Sequence, residues 1–216
     1  MTGQAGSDDG VLRPALLLDP QASPLAPEQR WPGLDGVATA DMYDLGGIEL
    51  EPYSALFVAG MVDQEFLLRR AGEVAGFLGR GRVVVFCGHL FRPWLPGCAP
   101  FVPAVVSGFG DYAVHIEEQG LRQVPVYAGV EADDLTFRRG VAGFFARGHH
   151  DPPPGATVLA RLAGGQPITW VDEATTPGAV LVHAGADLLG YGGDGTTAAR
   201  LVPQVLDWAR RRGSRA

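Results

Sequence analysis

Residues 54–60 read SALFVAG, residues 61–81 read MVDQEFLLRRAGEVAGFLGRG, and residues 82–89 read RVVVFCGH. The first piece is a short apolar run that stops at Gly60. The second places Phe66, Leu67, Ala71, Val74, Phe77 and Leu78 at three- and four-residue spacings, the period of one helix face. Asp63 stands where an N-cap belongs and Gly79 where a helix stops. The third piece is another apolar run, ended by Cys87-Gly88-His89. Strand, helix and strand with short connections predict a right-handed parallel crossover. Sheets built this way bind ligands beyond the carboxyl ends of their strands. The first strand brings Gly60, Met61, Asp63 and Gln64 to that edge. The second brings Cys87, Gly88, His89 and Arg92.

Upstream, residues 14–19 (PALLLD) form an apolar run suited to a central parallel strand, broken at Asp19-Pro20. Residues 20–36 carry four prolines, which excludes a long helix and leaves room for a short turn at residues 27–31. Residues 37–45 read as a weak second strand. Downstream, residues 91–110 are rich in Pro and Gly and read as a loop packed by its own apolar groups. Trp94 in that loop is expected to line a pocket. Residues 112–117 alternate like a half-buried strand, and residues 125–127 read as extended. Residues 131–147 read as helical in part, against Gly140 and Gly143. Residues 147–155 (RGHHDPPPG) read as a loop. Residues 157–162 and 167–171 read as a hairpin joined by Ala163-Gly164-Gly165. Residues 179–182 are a last strand ending at His183. Residues 196–212 close the chain as a helix, capped by Thr196 or Thr197 and arginine-rich in its last turn. Residues 1–10 read as a disordered tail. The predicted fold is one doubly wound α/β domain over residues 11–213. Its sheet is mostly parallel, with helices on both faces and a β-rich insertion near residues 111–171.

A chain of 216 residues fits one such domain. Its formal net charge of -7 argues against unaided nucleic-acid binding, which needs a basic footprint. It holds no lysine, which excludes a P-loop lysine, a Schiff base and a lysine general base. Two cysteines, Cys87 and Cys98, occur without CxxC or Cys/His zinc spacing, so no metal is expected and a reducing compartment is. The polar N-terminus lacks a signal-peptide pattern, and no apolar stretch approaches membrane-spanning length. A cytoplasmic location and no membrane partner are expected. The glycines of residues 190–195 (GYGGDG) match no nucleotide-phosphate motif, so no cofactor is implied. The densest polar cluster is Arg147, His149, His150 and Asp151, on a loop expected to fold over the sheet edge and offer Arg147 or His149 to a ligand. His89 and Arg92 suit an anion there. Apolar groups scattered through loops make homo-oligomerisation an expectation as well.

Three stretches together resemble the class I glutamine amidotransferase-like superfamily, whose fold is flavodoxin-like. YSALFVAGMVDQ (53–64) is similar to the strand ending in oxyanion-hole glycines. FLGRGRVVVFCGH (77–89) is similar to the approach to the nucleophile. PGAVLVHAGADLLGY (177–191) resembles the strand carrying the triad histidine, and the closing segment of trehalose-utilisation-type and β-galactosidase trimerisation-type members. The resemblance implies Cys87 as nucleophile, His183 as general base, Asp187 as its orienting acid, and Gly60 and Gly88 beside the oxyanion. Departures accompany it. Val85 and His89 stand where a tight nucleophile elbow wants small residues. One residue is missing between Cys87 and Gly88, and Ala184-Gly185 replaces the family's Pro-Glu after the histidine. Two functions follow from different classes. One is a divergent module without a competent glutaminase triad, binding a small polar molecule or a partner protein at the sheet edge. The other is a cysteine-dependent amidase or amidotransferase using Cys87, His183 and Asp187.

Overall fold

The computed structural model describes residues 12–34, 36–138 and 140–215. The tail expected over residues 1–10 lies outside them. The chain opens with β1 (Ala15–Asp19), buried along its whole length. Helix α1 (Pro27–Arg30) follows, with proline in its first turn, where no N–H is needed. Strand β2 (Val37–Asp41) leads through a 3-10 turn to β3 (Ala55–Val58). The predicted single helix is two pieces, α2 (Gln64–Arg69) and α3 (Ala71–Gly79), interrupted at Arg70, whose ψ of 16° is not helical. Asp63 caps α2 as predicted, accepting the Phe66 N–H at 2.9 Å. Strand β4 (Val83–Cys87) is the second buried run.

Beyond it lie β5 (Phe101–Pro103), β6 (Val114–Ile116), α4 (Glu118–Gln123), α5 (Ala132–Thr136), β7 (Phe137–Arg138), β8 (Val141–Ala142) and β9 (Gly148–His150). Then come β10 (Thr157–Leu162), β11 (Pro167–Asp172), β12 (Ala179–His183) and α6 (Leu201–Gly213). Three expectations fail here. Residues 125–127 form a 3-10 turn, not an extended piece. The helix expected over residues 131–147 ends at Thr136, and a β7–β8 hairpin follows. Residues 148–150, read as loop, pair with β5. Strands of two or three residues are too short to show a period, so only the partner strand defines them.

Among the described residues, eight strands join one sheet in the order β2-β1-β3-β4-β12-β11-β10-β6. The pairs from β2 through β12 are parallel, and those from β12 through β6 are antiparallel. The sheet is therefore mixed. The stretch expected as a β-rich insertion is no separate layer, because β6, β10 and β11 continue the sheet outward from β12. Strand β12 comes last in sequence but sits in the middle of the sheet. Its backbone groups on both sides need partners, and the β10–β11 hairpin supplies one side.

Helices cover both faces. Leu201, Val202, Val205, Leu206 and Ala209 of α6 pack on the face carrying Leu17, Phe57, Val85 and Leu181. Phe66, Leu67, Val74, Phe77 and Leu78 of α2 and α3 pack on the face carrying Leu16, Leu56, Phe86 and Val182. Strand alternation sends Val83, Val85 and Cys87 one way and Val84 and Phe86 the other. The carboxyl ends of β3, β4 and β12 consequently lie side by side and point the same way. No helix among the described residues is long and apolar enough to cross a membrane.

Candidate functional site

Beyond those three strand ends opens a cleft of about 410 Å³, within the range of small-molecule sites. Gly60, Gly88, His89, Arg147 and Asp187 line it, with Met61, Phe91 and Phe144 around the mouth. Four of the residues expected to bind ligand, Gly60, Gly88, His89 and Arg147, are thus brought together. Arg147 arrives there because residues 143–147 dock beside residues 184–187. Ala146 bridges Gly185 antiparallel, and the Ala186 N–H donates to the Phe145 carbonyl at 3.1 Å. Gly60 and Gly88 touch. Gly88 has φ of +135°, and a Cβ there would stand 2.6 Å from the Gly60 Cα, so only glycine fits.

The other expected ligand contacts sit elsewhere. The Asp63 carboxylate is held by the Phe66 N–H and by the Tyr43 hydroxyl at 3.3 Å. The Gln64 side-chain amide donates to the His89 carbonyl at 2.6 Å. Its oxygen accepts from the N–H groups of Phe91 (2.7 Å) and Arg92 (3.1 Å). It braces the cleft wall from behind. Arg92 pairs with Glu65 on the exposed surface. His149 approaches Asp151 at 3.3 Å, off the cleft. Trp94, expected to line a pocket, is fully buried and meets Phe86 edge-on at 5.2 Å between ring centres. Its large apolar surface is worth more inside the core.

Beneath the cleft lies a closed polar row. Register places Cys87 beside His183 and His183 beside Thr169. His183 Nε2 lies 3.0 Å from the Phe145 carbonyl, which only accepts, so Nε2 carries the proton. Nδ1 then accepts from the Thr169 hydroxyl at 2.8 Å. The Thr169 oxygen in turn accepts from the Tyr127 hydroxyl at 2.8 Å. Every polar atom of the imidazole is satisfied in the neutral state, and burial holds its pKa down at about 3. In this arrangement neither ring nitrogen is free to face a thiol.

The remaining triad positions are engaged as well. The Cys87 sulfur is buried. Burial first, then the Asp187 charge, push its thiol pKa up, against one N–H from Leu188. A desolvated thiol of this kind is inert. Asp187 accepts the Gly60 N–H at 2.9 Å and the Trp31 ring N–H, while His183 turns to Thr169 and Phe145. Burial raises its pKa to about 6, against the Gly60 and Trp31 N–H groups and the Arg30 charge. The Gly88 N–H donates to the His183 carbonyl at 2.9 Å. Both N–H groups expected at an oxyanion site are therefore taken.

Sequence reading set residues 87–95 and 147–150 on the binding edge without singling out Phe91 or giving His150 a bracing role, and it missed Phe144. His150 is fully buried with its ring nitrogens 2.9 Å from the Ala99 carbonyl and 3.0 Å from the Gly88 carbonyl; both oxygens only accept, so the neutral ring donates to one of them at a time. The Phe144-Phe145 pair after Gly143 offered a signal: side chains of adjacent residues leave the backbone in different directions, so two large rings there do not share one side. No group of three or more His, Cys, Asp or Glu side chains among the described residues is arranged to hold a metal ion. The sequence matches no protein-family model and no curated protein.

Proposed function

We propose that this chain is a divergent class I glutamine amidotransferase-like module that binds a small polar molecule in the 410 Å³ cleft and does not hydrolyse glutamine. The proposal includes a doubly wound, flavodoxin-like fold in a single domain over residues 11–213. In its favour are the helices on both faces and the parallel order β2-β1-β3-β4-β12. One observation carries the functional reading. The four groups a cysteine hydrolase needs free are all occupied or buried, while the cleft above them stays open. His183 is bonded at both nitrogens, the Gly60 and Gly88 N–H groups are donated, and the Cys87 sulfur is covered. Nucleophilic catalysis requires a thiolate and a base in contact with it.

The test is a thiol titration with an aromatic disulfide reagent in a Cys98→Ser background. Cys87 is expected to stay unmodified in the native protein from pH 6 to 9 and to react only on unfolding. Rapid native-state modification with a thiol pKa below about 7.5, the range of activated cysteines, overturns the reading in favour of the amidase or amidotransferase alternative.

A further inference from the structure

The mouth of the cleft is apolar and its two ends are not. Met61 is 77% exposed, Phe91 60% and Phe144 50%, and all three line the cleft. Large apolar side chains held in solvent around a concavity await a ligand surface that covers them.

Arg147 marks one end. Its Nε–H donates to the Gly143 carbonyl at 2.8 Å, which fixes the guanidinium. Among the described residues no carboxylate lies within ion-pair distance of it. The arginines of the adjoining cavity differ, since Arg30 is paired with Asp19 and Arg138 with Asp194. Arg147 therefore brings an uncompensated positive charge to an apolar site. His89 adds none, because burial first, then His150 and Arg147, lower its pKa and keep it neutral near pH 7. A single guanidinium matches a single carboxylate. A doubly charged phosphate would keep an uncompensated charge against apolar walls.

Asp187 marks the other end. Arg147 lines this cavity alone, whereas Asp187 lines both this one and the next. Asp187 also forms the sill to a second cavity of about 340 Å³, which shares Met61 and Ala186 with the first. Two cavities meeting at Met61, Ala186 and Asp187 make the site a trough rather than a single pit.

We infer that the cleft takes an elongated amphipathic carboxylate, with its carboxylate on Arg147, its apolar body against Phe91, Phe144 and Met61, and a hydroxyl or amine donor reaching Asp187. The inference rests on the binding reading above and gives that ligand a chemical class.

The test is an NMR titration of the full chain with three probes: 3-(4-hydroxyphenyl)propanoate, its carboxamide, and 3-phenylpropanoate. The hydroxy acid is expected to shift the backbone amides of Gly60, Gly88, Gly143 and Gly185. The carboxamide should bind about tenfold more weakly and the donor-free acid about threefold more weakly. In Arg147→Gln the gap between acid and carboxamide should close, with shifts of the free protein changed only around residues 143–147, where the bond to the Gly143 carbonyl is lost. Equal binding of acid and carboxamide at those glycines, or an acid preference that survives Arg147→Gln, overturns the inference and leaves cleft binding standing. Equal binding of the two acids overturns the Asp187 contact. No shift with any probe overturns the inference and counts against the binding reading as well.

Discussion

The floor of the cleft and its mouth are built from neighbouring residues and obey opposite rules. In the floor, Cys87, Thr169, His183 and Tyr127 are buried, and the hydroxyls and imidazole form one directional chain ending on the Phe145 carbonyl. At the mouth, Met61, Phe91, Phe144 and Arg147 face solvent, and Arg147 keeps charge in reserve. Polar residues deep in a sheet are satisfied and therefore chemically quiet. Groups left exposed or uncompensated beside a concavity are the ones with free energy still to release on binding. The floor holds the residue types of a catalytic triad without its connectivity. The mouth holds residues that fit no catalytic motif.

Substitution should separate the two regions by size of effect. His183→Ala removes a buried ring, takes the acceptor from the Thr169 hydroxyl proton and leaves the Phe145 carbonyl with the Ala186 N–H alone. A loss of about 4 kcal/mol is expected in denaturant unfolding, and a loss below about 1 kcal/mol would mean the row is not closed. The same histidine should make the protein acid-sensitive. Its folded pKa of about 3 lies below its ordinary 6.5, so the unfolded chain takes the proton first. The stability it confers is complete above pH 6.5 and is lost as pH falls toward 3. A plot of unfolding free energy against pH should show this slope, and His183→Gln should flatten it.

An intermediate effect is expected at the scaffold joining floor to mouth. Gln64→Ala deletes three hydrogen bonds to residues 89–92 from a half-buried position. It should cost about 2 kcal/mol and speed amide exchange at Phe91 and Arg92. The smallest stability change belongs to the mouth. Phe144→Ser should stay within about 0.5 kcal/mol of the parent in thermal unfolding, yet weaken binding of 3-(4-hydroxyphenyl)propanoate. A large stability loss there would make Phe144 part of the core and dissolve the contrast.

Legibility followed the same division. The runs ALLLD, ALFV and VVVFC are long enough and apolar enough to be read as buried strands, and their spacing around one helical stretch predicted the parallel edge where the cleft lies. Asp63 was legible as a cap because an N-cap is a local hydrogen bond, but the same bond removes it from the ligand site. Arg92 looked free because sequence does not show Glu65 beside it, and the nearness of His149 to Asp151 did not show that the pair lies off the cleft. The pairing of β5 with β9 and the hairpin of β7 with β8 left no period to read.

Sequence alone determined which segments are buried strands, where α2 starts, and that Gly60, Cys87 and His183 end strands, because these follow from burial pattern and local capping within a few residues. Only the tertiary structure decided what the imidazole of His183 bonds to, where Asp187 points, that the sheet continues antiparallel beyond β12, and that Arg147 reaches the cleft with no carboxylate of the described residues within ion-pair distance. His183 meets Thr169 and Phe145 across 14 and 38 residues of chain and Asp187 meets Gly60 across 127, and a hydrogen bond or charge is free or satisfied only in relation to a partner that the fold brings near.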